Sequence, residues 1–375
     1  MFKRIKKNFK LDYLLTGIIL ILLFGGILIL SSVSALISQE NFGNTTYYLF
    51  HQIKFGIIPG FILGFFAFLL PLKTIKKLSW IAVFVNLLLV VLVFIPGIGI
   101  VSGGASRWLN FKFFSFQPSE FLKITFILYI AAWLSSPARK ISDKKEKNLK
   151  HTLIPFIVIS LVVGFLLAKQ SDISTLGVII LPSLIMYFCS NTPFWHAFLI
   201  FLIGAGGLAV LIKIAPYRIM RLKIMLGMVE DPMNLGYQIK QILIGIGSGG
   251  IFGLGLGMSN QKFGFIPEIM SDSIFAIFAE EVGFIGSVAL IGLFTAFFWR
   301  GFSIAKKSKT NFSKLFAIGF SSWIYLQALI NIAAMVKVIP LTGIPLPFIS
   351  YGGSHVVTEL IGVGILLNIS KNIEK

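Results

Sequence analysis

The chain has a single cysteine, Cys189, so no disulfide can form within it. Its four histidines, His51, His151, His196 and His355, lie far apart, and no His/Cys spacing matches a zinc site. Acids are scarce, 14 in 375 residues, and all charged residues together make up 13%. That is about half the share of an ordinary soluble domain. No hydrophilic stretch is long enough to form a second, soluble domain. These shortages exclude a secreted disulfide scaffold, a zinc module and an ordinary water-soluble enzyme.

Apolar runs fill the space that charge leaves. Runs of about 18 or more apolar residues read as membrane spans. The pattern predicts ten, at roughly 13–36, 54–71, 78–97, 118–134, 152–168, 173–190, 194–213, 273–298, 314–337 and 355–370. The fold class expected is an all-α integral membrane protein, one polytopic domain over residues 1–375. A charged linker occupies 135–151, and a long, partly helical, Gly-rich segment occupies 214–272 between spans 7 and 8. The first run follows a basic start, as a signal peptide would. Its apolar stretch exceeds the usual h-region, so it reads as a retained helix.

The net charge of +19 comes from 33 basic residues, and their placement reads as topology. With the N-terminus in the cytoplasm, 21 of the 33 fall on inside segments: five before span 1, three at 73–77, six at 139–150, five at 300–314 and two at the C-terminus. Both termini are then cytoplasmic. Nucleic-acid binding is not implied, because it would want a basic face on a soluble domain. The 214–272 segment breaks the pattern by carrying Arg218, Arg221, Lys223, Lys240 and Lys262 to the outer side. Contact with lipid headgroups accounts for them plainly; an anionic ligand is the sharper alternative. PYRIMRLKIMLGMVEDPMNL (216–235) suits a helix lying in the interface. The following Gly-rich stretch reads as half-helices or a re-entrant hairpin. Gly245, Gly247 and Gly250 match GxGxxG, but no strand or βαβ unit frames them. Close backbone packing is the better reading.

Charges inside apolar spans cost roughly 2.5–3.5 kcal/mol each on insertion scales and need partners or a task. Glu120 and Lys123, three apart at a helix start, share a face and can pair. Asp172 opens the next outer-facing helix and could join them. Glu280 and Glu281 point about 100° apart and read as structural intramembrane acids. Asp272 sits between Ser271 and Ser273 at the mouth of its helix, where an N-cap is the ordinary role. Either serine could serve that role instead. A partly desolvated carboxylate beside Glu268 should have a raised pKa, which suits a general base. Arg107 and Trp108 sit on a short outside loop, where the indole is either an interfacial anchor or a platform for a sugar. The rigid, uncharged loop IPLTGIPLPFISYGGSH (339–355) could cap a cavity.

GGASRWLNF, QPSEFLK, QSDISTLG, GIGSGGIFGLGLG, QKFGFIPEIMSDSIFAIFAEEVGFIG and PLTGIPLPFISYGGS follow one another in order over most of the chain. Together they resemble the SEDS family (shape, elongation, division and sporulation), and the division branch, FtsW, more than RodA. The resemblance implies a ten-span peptidoglycan glycosyltransferase of the cytoplasmic membrane. It would polymerise lipid II into β-1,4-linked glycan at the outer face. A class B penicillin-binding transpeptidase and other divisome or elongasome membrane proteins would be its partners. It places the family's essential aspartate on Asp272, its Arg-Trp motif on Arg107 and Trp108, its Glu-x-x-Lys on Glu120 and Lys123, and its acidic pair on Glu280 and Glu281. Asp172 is kept although the usual Gln-Pro-Asp-Leu-Gly reads Gln-Ser-Asp-Ile-Ser. Lys337 and His355 stand where small residues are common. Arg107, Lys123, Arg218, Arg221 and Lys262 are candidate partners for the lipid diphosphate, and a divalent cation such as Mg²⁺ could share that work. A lipid II flippase and a non-catalytic scaffold are the alternatives. Charges gathered at one face favour the polymerase over a full-depth transport path.

Overall fold

The computed structural model describes residues 11–102, 105–110, 115–136, 149–214, 217–229, 231, 233–371 and 373. Leu, Ile, Val and Phe dominate its helices, as a hydrocarbon surrounding demands, and the helix satisfies each backbone amide where lipid offers it no partner. The helices are α1 (Tyr13–Phe42), α2 (Tyr47–Leu69), α3 (Leu72–Leu92), α4 (Pro118–Leu134), α5 (Leu149–Lys169), α6 (Ile173–Phe188) and α7 (Trp195–Ile214). Then come α8 (Tyr217–Met225), α9 (Leu235–Ser248), α10 (Ile274–Lys306), α11 (Asn311–Met335) and α12 (Gly353–Ser370). Among the described residues eight are long and apolar enough to cross a membrane: α1, α2, α3, α5, α7, α10, α11 and α12. Two more of the expected spans, α4 with 17 residues and α6 with 16, are shorter but packed into the bundle.

Local signals end these helices where the sequence has polar or special residues. Asp12 accepts from the Leu15 amide and pairs with Arg300 at 2.9 Å, tying the start of α1 to the far end of α10. Gly43 closes α1 in the left-handed conformation, and Pro118 opens α4 at its first turn. Thr310 caps α11 through the Ser313 amide.

Helices α11 and α12 form the centre, with most of their residues buried, whereas α7 is almost wholly exposed along its length. α11 packs on α4, α6 and α10, and α12 packs on α2. The α2–α12 contact is a stripe of small residues: a Cβ at Gly60 would lie 2.6 Å from the Leu360 side chain, and one at Gly364 only 2.0 Å from the Gly64 carbonyl oxygen.

Two features refine the sequence reading. The segment carrying Arg107 and Trp108, expected as a loop, is a three-stranded antiparallel sheet: β1 (Gly99–Ser102), β2 (Ala105–Asn110) and β3 (Ser115–Phe116), with Ile100 opposite Trp108. The charged linker expected at 135–151 lies largely outside the described residues. The Gly-rich stretch after α9 has no further regular helix. It is docked on a break in α10, where Gly283 adopts φ 73° and ψ −169°. Leu254 and Gly255 donate their amides to the Glu280 and Glu281 carbonyls there. A Cβ at Gly249 would stand 2.2 Å from the Ala279 carbonyl oxygen, so small residues pack backbone on backbone.

Candidate functional site

The loops that follow α9 and α11 meet at one end of the bundle, around Asp272. The residues 268–273 are pinned by the 339–353 connector: Tyr351 donates its amide to the Met270 carbonyl at 2.8 Å, and Ser350 donates its hydroxyl to the Ser271 carbonyl. Asn331 of α11 donates from Nδ2 to the Asp272 carbonyl and to the Ile344 carbonyl, both at 2.7 Å. One buried amide therefore fixes both loops relative to the helix core. The connector approaches closely, since a Cβ on Gly343 would be 3.7 Å from Asp272 Oδ2.

Asp272 is partly buried and Glu268 is exposed. The Ser271 hydroxyl stands between them, 3.0 Å from Glu268 Oε2 and 3.4 Å from Asp272 Oδ1. Burial pushes the Asp272 carboxyl up to about 6, and the Glu268 charge adds to the effect. Hydrogen bonds from Ser271 and nearby amides oppose it without cancelling it. Ser273, beside it, heads α10 and receives a 3.3 Å contact from Gln238 Nε2 of α9. No side-chain N-cap bond from Asp272 engages α10.

Deeper in the bundle a polar cluster joins α4, α11 and α12. Lys123 lies 2.7 Å from Glu120 and 3.1 Å from Gln327 Oε1, and the Trp323 indole donates to the same oxygen at 2.8 Å. Gln327 in turn donates to the Pro345 carbonyl at 2.9 Å. Glu359 accepts the Phe348 amide at 2.8 Å, holding that residue at φ 63°. Three buried acceptor or donor atoms of the cluster, Glu120 Oε2, Glu359 Oε1 and His355 Nε2, have no hydrogen-bond partner, although Glu120 Oε2 keeps its ion pair. The connector that presses on Asp272 is thus anchored from below by side chains of α11 and α12.

Asp172 does not join this cluster. Its Oδ1 accepts from the Thr175 amide at 3.3 Å at the head of α6, because the backbone at 170–172 turns it along its own helix. Arg107 is brought to the same turn, donating to the Gln170 and Ser171 carbonyls at 3.2 and 2.7 Å. Trp108 is partly buried on β2. Arg218 donates to the Leu211 carbonyl, Arg221 to the Leu341 carbonyl at 3.0 Å, and Lys262 to the Gly257 carbonyl. Glu280 gathers the Gly-rich stretch through the Ser248 and Ser259 hydroxyls and the Asn260 and Gln261 amides. Glu281 takes a different partner, the Ser32 hydroxyl of α1 at 2.7 Å.

Gln327 and Asn331 escaped the sequence reading. They sit four apart on α11, below Trp323, and that spacing on an apolar helix was the available signal.

The chain matches the family described as cell cycle protein, FtsW/RodA/SpoVE, over residues 12–375. Stage V sporulation protein E of Bacillus subtilis is 38% identical over 96% of this chain and 97% of its own length. A probable peptidoglycan glycosyltransferase FtsW of Trichlorobacter lovleyi is 34% identical, covering 100% of this chain and 97% of the relative. Among solved structures, a chain of a peptidoglycan synthase complex that coordinates polymerization and crosslinking superposes with TM-score 0.75 at 25% identity, over 96% of this chain and 98% of that one. The rod shape determining protein RodA of Thermus thermophilus shares the fold, with TM-score 0.70 at 24% identity over 97% and 98% of the two chains.

Proposed function

This chain belongs to the FtsW/RodA/SpoVE family of multi-pass membrane proteins, and from that premise we propose that it is a peptidoglycan glycosyltransferase with Asp272 as its general base. The substrate is lipid II, the undecaprenyl-diphosphate-linked disaccharide-pentapeptide, used at the outer face of the cytoplasmic membrane with both termini inside. The observation that carries the reading is the setting of Asp272. It is a partly buried carboxyl raised to about 6, aimed at the 339–353 connector and held by its backbone rather than by capping a helix.

A base titrating near 6 is charged at neutral pH yet basic enough to draw a proton from an alcohol as it attacks. Asp272 takes the proton of the acceptor's GlcNAc 4-hydroxyl. That oxygen bonds to C1 of the donor MurNAc while the C1–oxygen bond to the lipid diphosphate breaks. The electron pair leaves on the diphosphate, and displacement from the opposite side gives a β-1,4 link. The Asn331 contact limits reorientation of the Asp272 loop, which lowers the entropy cost of the aligned geometry. Among the described residues no three His, Cys, Asp or Glu gather as a metal cage. A Mg²⁺ ion, where used, would be held through the diphosphate and the exposed Glu268 carboxylate, adding charge neutralisation at the leaving group.

Crosslinking of the nascent strand falls to a class B penicillin-binding transpeptidase, alongside other division or elongation proteins. Several relatives named FtsW support a division role. The experiment is polymerisation of lipid II by the purified chain with its transpeptidase, read as glycan strands on a gel. Asp272→Asn keeps the shape and removes the base, and the expected outcome is loss of strands with normal expression. Parental strand synthesis by this variant refutes the base assignment. Translocation of fluorescent lipid II by the chain alone, indifferent to Asp272, would favour the flippase instead.

A further inference from the structure

The five basic residues that the sequence offered to a diphosphate are engaged within the chain. Arg107, Arg218, Arg221 and Lys262 donate to backbone carbonyls, and Lys123 is buried against Glu120 and Gln327. Two others are different. Lys240 on α9 and Lys337 just past α11 are exposed, and among the described residues neither ammonium has an acidic or hydrogen-bonding partner. Both line one pocket of about 610 Å³. Its remaining wall is largely apolar: Ile224 from α8 and Ile239, Leu243 and Ile244 from α9.

Asp231 also faces the pocket, but its carboxylate accepts from the Asn234 and Leu235 amides and from the Asn234 side chain at 3.1–3.2 Å. Those bonds hold the carboxylate at the start of α9, and with the two lysines the pocket keeps a net positive charge. Lys337 adopts φ 62°, a conformation that costs an L residue strain and that glycine would take freely. The strained backbone turns a long cation to the pocket rim. Leu226, Met228 and Met233 are exposed around the same segment, a surface suited to lipid chains.

The pocket is built on two elements that also touch the Asp272 region elsewhere along their length: Gln238 of α9 contacts Ser273, and the 339–353 connector, which follows Lys337, approaches Asp272 at Gly343. We infer that the pocket between α8, α9 and Lys337 binds the diphosphate head of a long-chain polyprenyl lipid. Lys240 and Lys337 hold the phosphates, and Ile224, Ile239 and Leu243 lie along the first part of the chain. The geometry fits that chemistry: two cations answer the charge of a diphosphate, and an apolar wall answers a hydrocarbon. Only the identity of the lipid rests on the glycosyltransferase reading.

Binding is measured on the full chain in nanodiscs, with fluorescent undecaprenyl diphosphate as the probe. Phosphatidylglycerol and inorganic diphosphate serve as competitors. The expected result is that Lys240→Gln/Lys337→Gln weakens binding about tenfold, two partly exposed ion pairs being lost together. Lys240→Arg/Lys337→Arg restores most of it. Both positions are exposed, so an unchanged thermal midpoint certifies the fold of the Gln variant. Equal binding by parent and Gln variant overturns the site. Equal competition by phosphatidylglycerol also overturns it, because the lysines then serve bulk headgroups. Equal affinity for inorganic diphosphate overturns the role of the apolar wall. An Asp272→Asn chain that binds the probe but makes no glycan leaves this site intact. A Gln variant that binds as the parent does leaves the base assignment intact.

Discussion

Replacing Glu268 by Gln should move the acid limb of the polymerisation rate to lower pH. The Ser271 hydroxyl bridges the two carboxylates, and its legs of 3.0 and 3.4 Å cap their separation at about 6.4 Å. A unit charge at that distance raises the energy of its neighbour by about 0.6 kcal/mol at a dielectric of 80, and about 1.3 kcal/mol at 40. Those energies correspond to about half a pH unit and about one pH unit. The range agrees with burial, not Glu268, being the larger cause of the rise from 3.8 to about 6. The sign follows from the role. A base works only when deprotonated, so the rate climbs with pH through about 6 in the parent. Without Glu268 the carboxyl loses its proton more readily, and the limb falls to about 5–5.5. At pH 5.5 the variant should carry about two to three times the parental fraction of charged Asp272, while rates at pH 7.5 stay similar. The assay is the initial rate of lipid II consumption from pH 4.5 to 8 at saturating substrate. A limb that stays in place or rises refutes the electrostatic account. A collapse at pH 7.5 shows that Glu268 acts on the substrate, directly or through a bound metal.

Other perturbations probe the frame around Asp272. Asn331→Leu removes the donor shared by the Asp272 and Ile344 carbonyls and should lower kcat about tenfold or more, with a smaller change in the KM for lipid II. A KM effect alone would contradict a positioning role. Lys123→Met leaves Glu120 buried without its cation, and the expected loss is about 3–5 kcal/mol, read as a lower thermal midpoint in detergent. Glu120→Gln/Lys123→Met should recover part of that loss; a double variant no better than the single one rejects the pair. Gly283→Ala puts a Cβ 2.3 Å from the Gly253 amide nitrogen in a backbone region that glycine alone enters easily, and should cost more than about 2 kcal/mol. Gly292→Ala, with open space at its Cβ, is the control that should be neutral or slightly stabilising.

Much of the fold is written locally. Apolar runs locate the helices, with ends displaced by up to about eight residues, because each backbone must satisfy itself in lipid while polar end residues can extend a helix beyond its apolar run. The pairing of Glu120 with Lys123 was legible because three residues of helix fix their separation. Arg107 illustrates the limit of local reading. Its short segment reads as a loop, yet it is the middle strand of a sheet, and strand pairing is not visible in any one segment. Asp172 could have joined Glu120 and instead caps its own helix, a choice made by the turn at Ser171, which lies at φ 55°.

The sequence alone determined that this chain crosses a membrane many times, that its charges inside apolar helices need partners, and that Asp272 stands at a helix mouth. Composition and helical period suffice for those statements, since each involves neighbours in the chain. Tertiary structure decided which partners they found. Asn331 reaches Asp272 across 59 residues, Ser32 reaches Glu281 across 249, and Lys240 meets Lys337 at one pocket. Helix packing alone brings such distant groups together, because close-packed side chains, not chain proximity, set which polar atoms meet where water is excluded.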